Sequence, residues 1–386
     1  MILGDAGGPR PRRAFQVIEE LGYQVDIFAD NVPECLHPVR FINRGVLNRS
    51  EISLREGSRF LLGKLWRFRG YAPGFLCDRI NDIGFNLDRF DEFIKSNYKL
   101  IIVEDLALLP LVFRHPGSGI VIFDAREYYP KEFEGSRLFD LYEKPARESL
   151  CRRYLSKCDA VMTVSPGLVS QYNIDYNISP ILFRSLPYYH CLSTKKTENN
   201  NIKMVHMGIA NRDRKIEKMI EIAEKLKPEY SLDFYLVGNQ EYVEQLKQSA
   251  KLNPRIRFQP PVKFDDIIPT LNQYDIGFYH LEPTGFNTTY NLPNKLFEFI
   301  QARLAVVVSP NPCMAEVVRN YSCGFVSNDY GSQSMVELLN GLDSEKIDLA
   351  KHKSHEAASE LCYEKEKYVL ENLIFQLTLQ KSRGVM

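Results

Sequence analysis

Leu292-Pro293-Asn294-Lys295-Leu296-Phe297-Glu298-Phe299-Ile300, running on into Leu304-Ala305-Val306-Val307-Val308-Ser309, decides how this chain is read. A proline at a first helical position suits the fixed φ there, and the unpaired amides of a helix start attract phosphate oxygens. Leu292, Leu296, Phe299 and Ile300 supply an apolar stripe, and the valine run that follows reads as a buried strand. Lys295 and Glu298 stand three apart and share one helix face. A cation and a carboxylate thus emerge together above a phosphate-binding end, as at the ligand edge of an α/β domain.

Outward from this stretch the same alternation recurs. Lys203–Met207, Asp233–Val237, Arg255–Phe258, Asp275–Tyr279 and Ala305–Val308 read as strands, separated by helical stretches such as Ile216–Leu226 and Tyr242–Lys251. Toward the N-terminus, Gln24–Phe28, Lys99–Val103, Gly119–Phe123 and Ala160–Val164 alternate with helical spacing over Arg13–Leu21, Leu87–Ser96 and Glu143–Leu155. The polar piece Leu192–Asn201 interrupts the two series and reads as a linker. Alternation of this kind implies parallel sheets with helices on both faces, so the fold class is α/β with two doubly wound domains, 1–190 and 202–360. Residues 363–380 form a long amphipathic helix beyond them.

Bulk properties agree with two soluble cores. At 386 residues the chain exceeds what one core supports. Its 49 basic residues balance 49 acidic ones, which leaves no global field for nucleic acid. Eight cysteines are scattered without metal-ligand spacing, as expected of reduced thiols in a cytoplasm. The longest apolar runs, such as Leu106–Phe113, fall well short of a bilayer span, and no signal-peptide pattern opens the chain. The first strand is short enough that the native start is open to question.

Several segments carry chemistry. Gly4-Asp5-Ala6-Gly7-Gly8-Pro9-Arg10 follows that short strand and precedes a helix, where glycines let backbone approach a ligand; a plain tight turn is the bland alternative. Asp124-Ala125-Arg126-Glu127 closes a strand and sets two carboxylates and an arginine at a sheet edge. His206-Met207-Gly208 leads into Arg212, Arg214 and Lys215 at the start of a helix, either a phosphate site or a solvated charge run. Ser165 has no partners for nucleophilic work and reads as a helix cap. From Arg40 to Arg69 eight basic residues face only Glu51 and Glu56, a net of +6, with aromatic and leucine residues interleaved. Such a tract suits an anionic membrane surface or a lipid-linked acceptor, or else a buried helix with snorkelling arginines. No Asp-x-Asp occurs, which disfavours a metal site built on such a pair.

Together these segments, from the Gly7-Gly8 loop to Cys323-Gly324-Phe325, resemble the nucleotide-sugar glycosyltransferases of the GT-B fold, two Rossmann-like domains facing across a cleft. The likeness is to retaining group 1 enzymes that build bacterial surface polysaccharides such as O-antigen or capsule. It implies a donor pocket in the C-terminal domain: Gly208 as the turn, Arg214, Lys215 and Lys295 on the diphosphate, Asn294 beside them, and Glu298 on the ribose hydroxyls. It implies an acceptor region at Gly7, Gly8, Arg10 and Glu127, with Arg126 on anionic groups. Arg126 stands where the family more often has histidine, and an arginine is no base at neutral pH, so Glu127 or Asp124 would supply acid–base help. The family's first glutamate would fall at Tyr290; Glu282 is the substitute, with the Gly285 and Phe286 amides reaching the sugar. Arg303 and Ala305 replace a usual glycine and proline.

The resemblance implies a metal-independent enzyme with no cofactor beyond its nucleoside-diphosphate sugar, a glycan or lipid-linked acceptor, and a cytoplasmic place, peripheral on the inner face of the plasma membrane if 40–69 binds lipid. Two other functions share these features: a sugar-nucleotide epimerase of the same fold, and a non-catalytic sugar-nucleotide-binding subunit.

Overall fold

A computed structural model describes residues 2–4, 8–33, 35–43, 68–81, 87–95, 97–115, 117 and 119–384. The chain divides into two compact units, one of Met1–Ser185, Gly285–Asn287 and Lys367–Met386, the other of Leu186–Thr284 and Thr288–Glu366. The first unit holds β1 (Ile2–Gly4), β2 (Asp26–Ala29), β3 (Arg40–Asn43), β4 (Leu100–Val103), β5 (Ile120–Ala125), β6 (Ala160–Thr163) and β7 (Ile181–Leu182). They make one sheet in the order β3-β2-β1-β4-β5-β6-β7, every pairing parallel. The second unit holds β8 (Ile202–Ala210), β9 (Tyr230–Gly238), β10 (Ile256–Gln259), β11 (Ile276–Tyr279), β12 (Ala305–Val308) and β13 (Gly324–Val326), in the order β10-β9-β8-β11-β12-β13, again all parallel. Both are doubly wound sheets, as the alternation of apolar runs and helices demanded. Strands β3, β7 and β13 escaped the sequence reading, being edge strands or very short, with exposed or half-buried faces in place of a continuous apolar run.

In the second sheet the two faces bury different partners. Met204, Ile276, Phe278 and Val307 pack with the helices Glu217–Glu224 and Gln240–Ala250, while Val205, Tyr279, Val306 and Val308 pack with Leu296, Phe299 and Ile300. That is the period-two alternation of a strand covered on both sides. The helix Asn294–Gln301 can lie this close because position 277 is glycine: a Cβ there would stand 2.3 Å from Phe299 Cγ. Pro293 is the residue preceding the helix, with φ −78° and ψ 150°, and Asn294 takes the first helical position in its place. A proline φ fits either seat; the extended ψ decides.

Residues 192–201 belong to the second unit and are not a loose connection. Thr197 is buried, its amide bonded to Asp348 and its hydroxyl 3.2 Å from Asp275, which also pairs with the buried Lys351 at 2.8 Å. The division instead falls after Ser185. The last helix runs over Tyr363–Gly384, and its residues from Lys367 onward are part of the first unit. There Lys367 pairs with Glu20 at 2.7 Å, Lys381 reaches the Gly119 carbonyl at 2.5 Å, and Leu370, Leu373, Ile374 and Leu377 are buried. Among the described residues no helix is long and apolar enough to cross a membrane.

Candidate active site

Strands β8 and β11 lie side by side although β9 and β10 separate them in sequence, so the winding of the second sheet reverses between them. Open α/β sheets bind ligands at the carboxyl ends of such strands. Here β8 brings His206 and Gly208, β11 brings Tyr279, the turn after β8 brings Arg214, and the helix Asn294–Gln301 brings Lys295.

Tyr279 is the centre of the group. The Nζ of Lys295 lies 4.2 Å from its ring centroid, and Arg214 Nη1 donates to its hydroxyl at 3.3 Å. His206 stacks on the same ring at 5.5 Å and 28°. The Nδ1 of His206 is 3.0 Å from the Phe278 carbonyl. A carbonyl only accepts, so Nδ1 carries the proton and Nε2 presents a lone pair, which meets Lys295 Nζ at 3.4 Å. Gly208 makes room for this amine, because a Cβ at that position would stand 2.5 Å from Nζ.

Electrostatics set the site apart. Lys295 is 7% exposed and His206 1%. Burial, then the Arg214 charge, holds the Lys295 ammonium well below the usual lysine range, with Glu298 pulling the other way. Burial, then Lys295, holds His206 well below the usual histidine range and keeps it neutral. Among the described residues no carboxylate forms an ion pair with either Lys295 or Arg214, so two cations converge on Tyr279 with only the Glu298 charge acting from a distance. An arrangement of this kind is built for an anion.

The other expected residues fall into three groups. Lys215 is bonded to Glu282 at 2.7 Å, and that hydrogen bond holds the Glu282 carboxyl below its usual range; both side chains are part-exposed. Asn294 and Glu298 lie on the Lys295 helix, half-buried, Glu298 close enough for its charge to act on Lys295. Gly285 and Phe286 are not at this group: they count with the first unit, where the Phe286 amide is bonded to the Glu134 carboxylate.

In the first unit Arg10 and Asp124, expected to serve an acceptor and a proton, are locked together. Arg10 Nε and Nη2 each lie 2.6 Å from an Asp124 oxygen, Nη1 is bonded to the Phe183 carbonyl, and both residues are buried. A bidentate buried pair leaves neither charge available for a substrate, so Arg10 and Asp124 are structural. Gly8 precedes the helix Pro9–Glu20, Arg126 is part-buried nearby, and Glu127 is exposed with its carbonyl bonded to Tyr172. Gly7 lies outside the described residues, as does 44–67 of the basic tract. Its ends are tied inward: Arg40 bonds Asp26 and Tyr98, and Arg69 forms a bidentate pair with Glu143.

The sequence reading overlooked His206, Tyr279 and the role of Arg303. The first two sit at strand ends beside an expected site, and this position was the available signal. Arg303 takes the seat where the family has glycine, at φ +65°, with its guanidinium fully buried against the carbonyls of Gln301 and His190 and the His355 ring.

Residues 202–342 match the family of group 1 glycosyl transferases. That segment is thus similar to a group 1 glycosyltransferase domain. It contains every member of the Tyr279 cluster. Curated protein sequences yield no match. Among solved structures the whole chain is similar to the sucrose-phosphate synthase of Thermosynechococcus elongatus, with a TM-score of 0.71 at 13% identity over 98% of this chain and 99% of that one. It is similar to WaaG, a glycosyltransferase involved in lipopolysaccharide biosynthesis, with a TM-score of 0.64 at 12% identity over 95% and 98%. Staphylococcus aureus TarM, in complex with UDP, Fondaparinux and alpha-GlcNAc-glycerol, gives 0.62 at 10% identity over 75% of this chain, which spans 59% of TarM's length. These likenesses make the fold GT-B, with two Rossmann-like domains.

Proposed function

We propose that this glycosyltransferase moves a sugar from a nucleoside diphosphate to a hydroxyl of a glycan or lipid-linked acceptor, in the assembly of a surface polysaccharide. One observation carries the donor half: Lys295 and Arg214 converge on Tyr279 with no carboxylate in ion-pair contact, among the described residues, at the carboxyl edge of β8 and β11. A diphosphate supplies the missing negative charge. As the glycosidic bond to the diphosphate breaks, charge grows on the leaving oxygen, and fixed cations in a dry site can lower that barrier by about 3 kcal/mol each. Glu298, one turn along the same helix, is suited to the ribose hydroxyls. Support for the acceptor half comes from the likeness to WaaG and TarM, with Arg126 and Glu127 as the first-unit residues assigned to an acceptor. Retention of configuration, a cytoplasmic place and attachment to an anionic membrane belong to the same proposal.

Mutagenesis tests it. Arg214→Ala and Glu298→Ala are each expected to reduce transfer at least a hundredfold, scored as nucleoside diphosphate released from a panel of UDP- and GDP-sugars in the presence of a membrane-lipid extract as acceptor. Wild-type turnover in either variant would remove the donor pocket from this place.

A further inference from the structure

Lys295 is a cation in a poor place for one. Its amine is enclosed by the Tyr279 ring, the His206 imidazole and the bare backbone of Gly208. Four titratable or charged groups face it: His206 from β8, Arg214 from the following turn, Tyr279 from β11 and Glu298 from its own helix. Of these only Glu298 is acidic, and no ion pair joins it to the amine. A buried amine beside another cation gives up its proton more readily than a free lysine, and an arriving anion reverses that preference. His206 is built to hold the amine in place. The Phe278 carbonyl fixes its tautomer, so the nitrogen facing Nζ is an acceptor, and the ring is clamped between Tyr279 and Phe234, the latter edge-on at 5.8 Å.

We propose that His206 is a positioning residue for Lys295, and that this pair takes up a proton from solvent when a nucleoside diphosphate binds. It rests on the diphosphate reading of the site. The step is balanced: an N–H bond forms on the Lys295 amine, the proton comes from the buffer, and the new charge is met by a diphosphate oxygen. Bound and free states then differ in proton content, so affinity falls as pH rises above the proton affinity of the empty site, by up to about tenfold per unit.

Calorimetry on the intact protein tests this. UDP and GDP are titrated at about pH 8.5, where a phosphate with its second ionisation near 6 takes up nothing itself. The titrations are run in Tris and in HEPPS, whose ionisation enthalpies differ. Wild type should take up about half to one proton per diphosphate. His206→Gln keeps an acceptor for the amine and should retain the uptake. Lys295→Met removes the amine, so uptake and the pH slope of affinity should both vanish; His206→Phe keeps the burial and the Arg214 charge but takes away the acceptor that holds the amine, so nucleotide affinity should fall at least tenfold, with thermal melting confirming the folded state. Binding of either nucleotide without proton exchange in wild type overturns the proposal, as does a His206→Phe variant that matches wild type. Absence of any binding by both nucleotides overturns the diphosphate site itself.

Discussion

Gly208 shows how one missing side chain can serve both folding and ligand chemistry. An alanine Cβ there would stand 2.5 Å from Lys295 Nζ and 3.3 Å from Cε, the free end of a flexible side chain, and the backbone φ of +158° is one that L side chains rarely adopt. Gly208→Ala is therefore expected to lose about 1–3 kcal/mol of stability, from the backbone conformation and not from the amine, which can swing aside. Nucleoside-diphosphate affinity should fall at least tenfold, about 1.4 kcal/mol, because the displaced cation no longer sits over Tyr279. Thermal melting and calorimetry measure the two effects; undiminished affinity would show that the amine's place over the ring does not matter. Arg10 and Asp124 teach the opposite lesson. They carry functional-looking charges, yet they are buried and spend both on one another across 114 positions of sequence.

At the scale of an element, the helix Asn294–Gln301 depends on how it ends as much as on how it begins. Glu298 and Ile300 carbonyls accept from the Ala302 amide, and Arg303 then turns the chain at φ +65° into the buried strand β12. Its guanidinium donates to the carbonyls of Gln301 at 2.6 Å and His190 at 2.5 Å, and to His355 Nδ1 at 3.1 Å. Arginine replaces glycine here at the expense of backbone strain, and offsets that strain by bonding to the Gln301, His190 and His355 acceptors. Arg303→Gly relieves the dihedral but strands these acceptors, so a loss of about 2–4 kcal/mol is expected in urea unfolding. Arg303→Ala should lose roughly 1 kcal/mol more, because alanine keeps the unfavourable φ. A glycine variant as stable as wild type would mean that the guanidinium bonds contribute nothing.

At the scale of the whole molecule, the end of the chain completes the beginning. Leu370, Leu373, Ile374 and Leu377 are buried, and Lys367 and Lys381 bond to Glu20, Gly119 and Asp159 of the first unit. At roughly 1.5–3 kcal/mol for each buried apolar side chain, this helix contributes as much as a typical domain's net stability. Deleting 367–386 should abolish hydrogen-exchange protection in the helix Pro9–Glu20 and in β5, while β8 and β9 stay protected. Unchanged protection in β5 would show that the first unit folds without its C-terminal helix.

Sequence alone determined the α/β class, the strands buried on both faces, and the presence of Gly208, Arg214, Lys295 and Glu298 near one sheet edge. These follow from local rules: a strand covered on both sides must be a continuous apolar run, and a loop after such a strand must face the ligand edge. Only the tertiary structure decided which charges remain unpaired. Arg10 with Asp124, Lys215 with Glu282, and Lys351 with Asp275 and Thr197 are paired by packing between segments remote in sequence. Lys295 and Arg214 are left on Tyr279 for the same reason. A charge's function depends on its neighbours in space, and spacing along a chain reports those neighbours only within a helix or a strand.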